Sequence, residues 1–174
     1  QREQKDDAAI EEAISRALEE HRSTGLSRLQ ERVESDVRAT LDFLRAENML
    51  DRIVEAHIER PMIVPVGNDF LLGIPDVLVR TADGWEIGDW KTNRHDIRSA
   101  DEWLAYYRTQ LEAYVLLSSL VAPEQPSFTV RLILTRPPVQ AAQCTFDRAD
   151  LRRIELRIAN LIGAIKRTAV GNGV

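Results

Sequence analysis

Hydrophobic positions recur at helical spacing toward both ends of the chain and cluster in short runs in its middle. Over residues 6–21, Ala9, Ala13 and Ala17 with Ile10, Ile14 and Leu18 return every three or four positions, and acids crowd the start. Residues 26–50 place Leu29, Val33, Val37, Leu41 and Leu44 on one stripe, which predicts one or two further amphipathic helices. The pattern then changes. Residues 53–66 hold β-branched side chains with Pro61 and Pro65, an extended or edge segment. Residues 70–80 and 85–91 flank Asp83-Gly84, a strong hairpin signal. Ser99 with Glu102 fits a capping box, so a helix is predicted from there to about Leu120, ahead of Pro123. Residues 128–135 read as a buried strand ended by Pro137-Pro138, and 144–146 as a short one. Asp147 is placed to cap a last helix over 149–168, with Leu151, Ile154, Ile158, Leu161, Ile162 and Ile165 inward. The order predicts an α/β fold, a small mixed sheet flanked by helices. Residues 1–52 form an N-terminal helical lobe in this reading, and 53–174 the core.

Composition narrows the class. The chain has 174 residues, 44% hydrophobic and 29% charged, which suits one ordinary folded domain with a helical appendage. No apolar run reaches membrane-spanning length. No signal peptide is expected, and the charged segment starting at Gln1 reads as part of something longer. The single Cys144 excludes an internal disulfide framework, a four-cysteine zinc site and a cysteine-held iron–sulfur cluster. A reducing, cytoplasmic setting is expected. Lysine plus arginine is 23 against 28 acids, which argues against a protein that coats nucleic acid by charge alone. The balance is uneven: residues 123–174 carry 8 bases and 4 acids. A basic C-terminal element beside an acidic middle can hold a polyanion near a cation site, although a solvated basic helix face has the same composition.

The hairpin suggests chemistry. A two-residue Asp83-Gly84 turn pairs Asp76 with Lys91 and Leu78 with Asp89. Alternate residues share a face, so Asp89 and Lys91 point one way and Trp90 the other. Asp76 and Asp89 then become diagonal neighbours about 7–8 Å apart at Cα. The rest of both strands is largely apolar, which makes charge there costly without a use. Two such acids can share Mg²⁺ or Mn²⁺ through oxygen ligands, and Lys91 can orient water and stabilise charge building on a phosphate. An Asp–Lys pair on a hairpin is also a common surface salt bridge, and geometry alone leaves both readings open.

The literal motifs add to this. Pro75-Asp76, then Asp89-Trp90-Lys91, resembles the PD-(D/E)XK nuclease signature. The surroundings, GIPD (73–76), DWKT (89–92) and Tyr107, Gln110, Leu111 and Tyr114 in Y-x-x-Q-L-x-x-Y spacing, resemble the RecB-type nuclease domain of bacterial helicase–nucleases of the RecB and AddA kind. Glu59 with Pro61 is similar to that family's E-x-P-F strand. The resemblance runs from about residue 55 to the end and loosely over the N-terminal helices. It implies a restriction-endonuclease-like fold and metal-dependent hydrolysis of DNA, as an exonuclease in repair and recombination. It implies Asp76 and Asp89 as ligands of Mg²⁺ or Mn²⁺, helped by the Trp90 backbone carbonyl, and Lys91 as the catalytic lysine. Glu59, Gln110 and Tyr114 support the site; Arg94, Tyr107 and Arg108 are expected to contact DNA. The partners implied are single-stranded DNA or duplex ends and a helicase domain in the same chain or complex.

One departure stands out. Many family members carry a metal-binding histidine on the first helix, where this chain has Ser15. His21 lies nearly two turns on, too far to substitute; His57 and His95 are not expected to be ligands either. A rival reading follows, a nuclease-fold module that binds and guides DNA for a helicase with little or no cleavage. No phosphate-binding loop, G-x-S-x-G or H-E-x-x-H occurs, so the chain is not itself an ATPase, a serine hydrolase of that type or a zincin.

Overall fold

Proline decides where the central segment breaks. Residues 70–80 do not form one strand: the chain leaves one sheet at Gly73, passes through Ile74-Pro75-Asp76, and enters another at Val77. Pro75 has no N–H to give a ladder and restricts Ile74 before it, so an uninterrupted strand is unfavourable here. The computed structural model describes residues 2–20, 30–92 and 99–171. In chain order its elements are α1 (Arg2–Glu20), α2 (Gln30–Ala46), β1 (Glu55–Ile58), β2 (Met62–Val66), β3 (Asp69–Gly73), β4 (Val77–Thr81) and β5 (Gly84–Lys91). Then come α3 (Ala100–Ser118), β6 (Ser127–Leu134), β7 (Gln140–Asp147) and α4 (Arg148–Gly171).

The main sheet has the order β1-β4-β5-β6-β7, and β2 and β3 form a separate two-stranded ribbon. All neighbours are antiparallel except β5 and β6, which run parallel. A parallel pair needs a crossover, and α3 supplies it. The fold is the mixed α/β arrangement expected. The short strand read at 144–146 is the middle of the longer β7, and the extended segment at 53–66 splits into β1, on the sheet edge, and β2, in the ribbon.

The hairpin register corrects the sequence reading. Thr81 pairs with Gly84 and Leu78 with Ile87, so the turn is Ala82-Asp83 rather than Asp83-Gly84. The Thr81 hydroxyl accepts the Asp83 N–H at 3.2 Å and donates to the Gly84 carbonyl at 3.1 Å. Gly84 closes the turn at φ 126°, a conformation a side chain would strain. The whole ladder is therefore displaced by two residues. Continued past its last pair, Val77 with Gly88, it sets Asp76 against Asp89, not against Lys91.

One face of the sheet packs on α3, α4 and the ribbon. Leu78, Ile87, Phe128 and Val130 meet Leu111, Val115, Leu117, Ile154 and Ile158, while Met62, Val64 and Val66 enter from the ribbon. Both helices start as their sequences predict. The Ser99 side chain accepts the Glu102 N–H, and Glu102 accepts the Ser99 N–H in return. Asp147 and Asp150 exchange the same pair of bonds at 2.8 and 2.9 Å. On the other face, Leu41 and Leu44 of α2 share a cavity of about 310 Å³ with Val77, Val79 and Trp90. Arg38 of α2 pairs with Glu11 of α1 at 2.8 Å.

Candidate active site

The site forms where β4 ends and β5 continues. Beyond Val77, no strand among the described residues pairs with β5 on that side, and its backbone is left to other partners. The Trp90 N–H donates to Asp76 Oδ2 at 2.7 Å. This bond pins the loop acid to the strand that carries the other two charges. Trp90 projects its N–H and C=O to the same side, while the Lys91 carbonyl, facing β6, accepts the Thr135 N–H at 3.0 Å. The Trp90 carbonyl therefore faces the Asp76 edge.

Asp89 points into the α3 face and is fully buried. Lys91 Nζ lies 2.7 Å from Asp89 Oδ2, with the lysine side chain 14% exposed. Gln110 Nε2 reaches Asp89 Oδ1 at 3.4 Å and donates to the Tyr114 hydroxyl at 2.9 Å. The spacing of Gln110 and Tyr114, one helical turn apart, puts both on the site side of α3. The Tyr107 ring lies 4.6 Å from Lys91 Nζ, a cation–π contact, and stacks on Trp103 at 5.9 Å between centroids.

Burial raises the Asp89 carboxyl above its ordinary value; the Lys91 contact pulls it down, and the Asp76 charge pushes it up again. Burial also raises Tyr114, against the hydrogen bond from Gln110, and the Asp89 and Asp76 charges add to the rise. Tyr114 thus stays a neutral phenol. Asp89 Oδ2 has no aligned hydrogen bond despite the nearby ammonium.

Two glycines permit this closeness. A Cβ on Gly73 would sit 2.5 Å from Leu117 Cδ1 and 3.6 Å from the Tyr114 ring, so any larger residue there makes the buried Leu117 side chain shift beside the site. A Cβ on Gly88 would sit 2.5 Å from Val77 Cγ1. Gly73 belongs to the GIPD run, but its packing role is invisible without α3.

The other predicted residues separate. Glu59 sits between β1 and β2 at φ 47°, with its side chain exposed. Its backbone N–H donates to the Asp76 carbonyl at 3.0 Å, so it supports Asp76 through the main chain. Arg108 is on the far side of α3, paired at 2.9 Å with buried Glu112, which also pairs with Arg157. The structure does not bring Arg108 to Asp76 and Asp89. Arg94, like His21 and His95, lies outside the described residues. His57 stacks on Trp85 and pairs with Glu55, and Ser15 is exposed on α1. Tyr106 carries no signal in the motifs, yet its ring stands edge-on to Tyr107 at 4.9 Å.

As a metal centre the donors are hard oxygens. Asp76, Asp89 with its unaligned Oδ2, and the Trp90 carbonyl fit a small divalent cation. Among the described residues no group of three His, Cys, Asp or Glu side chains converges.

Comparison with known proteins agrees in outline. The PD-(D/E)XK nuclease superfamily model matches residues 1–172. A solved structure named "Putative exonuclease" from Eubacterium rectale superposes with a TM-score of 0.53 at 12% identity, over 80% of this chain and 55% of that one. The chain thus spans about half of that protein, and the likeness concerns the fold. The structure named SSO0001 aligns with a TM-score of 0.39 at 19% identity, over 86% of this chain and 70% of that one. No curated protein matches.

Proposed function

This chain belongs to the PD-(D/E)XK nuclease superfamily, and on that premise we propose that it hydrolyses phosphodiester bonds of DNA with the help of Mg²⁺ or Mn²⁺. The observation that carries the reading is the Asp76–Asp89–Lys91 cluster, with a buried carboxylate paired to a lysine. Asp76, Asp89 and the Trp90 carbonyl would hold the cation. Bound there, it would lower the pKa of water and neutralise charge on the phosphate.

The protein's own groups do the rest. Lys91 Nζ is within reach of Asp89 and is a donor for the attacking water or a non-bridging phosphate oxygen. The Tyr107 ring lies against the Lys91 ammonium and helps to hold it in place. Gln110 fixes the rotamer of Asp89 and is itself braced by Tyr114. Glu59 anchors the Asp76 backbone.

The finer reading is an exonuclease of the RecB and AddA kind, acting on single-stranded DNA or duplex ends beside a helicase in repair and recombination, in the cytoplasm. Residues 1–52 are its helical lobe and 53–174 its catalytic core. The motif order of GIPD, DWKT and Y-x-x-Q-L-x-x-Y supports this. No described helix is long and apolar enough to cross a membrane. The second reading, a guiding module with little cleavage, is favoured by Ser15 where a histidine ligand is common.

A cleavage assay with labelled single-stranded and duplex DNA tests the proposal, using Mg²⁺, Mn²⁺ or EDTA beside Lys91→Ala. Cutting that needs metal and is lost in Lys91→Ala is the expected result. Cutting that survives EDTA, or an undiminished Lys91→Ala, overturns the mechanism. No cutting and no calorimetric Mn²⁺ binding favours the guiding module.

A further inference from the structure

We propose that the cleft between α3 and α4 binds an unpaired nucleobase next to the cleaved phosphate, so that the site selects single strands and frayed ends. This rests on reading Asp76, Asp89 and Lys91 as the place where the diester is cut. The cleft holds about 490 Å³, in the range of small-molecule sites, and its walls include Leu71, Tyr106, Tyr107, Gln110, Leu161 and Ile165.

Three observations identify the occupant. First, the cleft is continuous with the site. Gln110 holds Asp89 and Tyr107 holds Lys91, yet both also line the cleft. A strand whose phosphate lies at Asp89 must send a neighbouring nucleoside past these two side chains. Second, the walls suit a base. Tyr106 is 63% exposed, and Ile165, expected inward from the helix pattern, is 68% exposed because α4 extends past its neighbours there, a large apolar surface in water beside a polar site. A flat heteroaromatic ring covers such surface and stacks on tyrosine without sequence preference. A base inside a duplex cannot enter, because its faces are already stacked and its edge paired. Third, the end of α4 offers a cation and no acid. Over residues 156–171 Arg157 is taken up by Glu112 and Lys166 by Asp69, and Arg167 is exposed. The Arg167 Nη1 atom folds back to 3.4 Å from the Cβ position of Gly163, one turn from the cleft wall.

The test needs two substrates and one binding probe. Oligonucleotides carrying a single 2-aminopurine at successive positions are titrated in EDTA, where no cleavage is needed, against the parent, Tyr106→Ala, Tyr106→Phe and Ile165→Glu. The expected result is quenching at one position near the bound phosphate, weakened about tenfold in Tyr106→Ala and in Ile165→Glu and restored in Tyr106→Phe. Steady-state assays then show a KM for single-stranded DNA raised by about the same factor. Cleavage of an oligonucleotide that carries an abasic sugar at the quenched position, a diester without a base there, stays unchanged. Equal quenching in the parent and both cleft variants overturns the inference. So does an equal loss on the base-free diester, which makes Tyr106 a support for Lys91 only. A dimer that Ile165→Glu dissolves, seen by sedimentation, also overturns it, since a second copy then fills the cleft. If the parent hydrolyses neither substrate, the proposed function fails, while the quenching still decides the cleft.

Discussion

Asp76 and Trp90 are joined by a 2.7 Å hydrogen bond from the Trp90 backbone N–H to the Asp76 carboxylate. The acid comes from a connector and the N–H from a strand that has run past its neighbour. One unpaired backbone group thus fixes the position of a side chain that no ladder holds. The same strand then places Asp89 and Lys91, two residues apart, on the face toward α3.

Removing the lysine tests its charge. Lys91→Ala should cut the cleavage rate by about 10²–10³, the usual effect of losing one donor to a charged transition state. Single-turnover rates with saturating metal measure this.

Gln110 acts at one remove. Gln110→Ala should lower Mn²⁺ affinity or cleavage rate by about 10–100-fold, as losses of outer partners to metal ligands do. Calorimetry and cleavage on the same preparation separate the two. An unchanged melting curve would show that positioning, not folding, is lost.

The Gly88–Val77 contact is steric. Gly88→Ala should destabilise the protein by about 1–3 kcal/mol, since the new Cβ meets Val77 Cγ1 at 2.5 Å. Adding Val77→Ala should recover part of this. Denaturant melts of the four species give the coupling.

Glu112 is 2% exposed and joined to Arg108 and Arg157, away from the site. Glu112→Ala should destabilise by about 1–3 kcal/mol, because it leaves buried guanidinium atoms of Arg157 without their partner. Arg108→Ala should cost less, since that side chain is 64% exposed. Thermal melts rank the two.

Cys144 has its pKa raised by burial, against a smaller pull from the Arg108 charge. The thiolate is the reactive form. Alkylation of the folded protein should therefore be slower at pH 8 than in urea, and its rise with pH should fall above that of a free cysteine. Iodoacetamide labelling followed by mass spectrometry reads both curves.

Several elements are legible in the amino-acid sequence by itself. The capping signals at Ser99 and Asp147 act within one turn, so local residues suffice to place those helix starts. The hairpin is legible too, with its turn one residue out of place. Asp83-Gly84 is the commoner central pair, but the Thr81 hydroxyl bonds both Asp83 and Gly84 and draws the loop back to Ala82-Asp83. The resulting two-residue displacement changes partners without changing faces, because side chains alternate with period two. Asp76, Asp89 and Lys91 therefore still meet, with Asp76 facing Asp89 instead of Lys91. Residues 70–80, one strand by their pattern, divide between two sheets, since Pro75 interrupts the ladder and a separate ribbon can cover α3.

What the chain alone determined is the local grammar: helix stripes, caps, a hairpin, and three charged residues at alternating positions on a largely apolar ladder. These follow from period and from side-chain bonds to nearby backbone, which need no distant partner. Only the tertiary structure decided how Asp89 is buried, that Gln110 and Tyr107 brace the site while Arg108 turns away, and that Tyr106 opens a cleft beside it. Those facts depend on how α3 is rotated between the sheet and α4. That rotation is set by where the whole apolar surface is buried, a sum over distant residues that no local pattern contains.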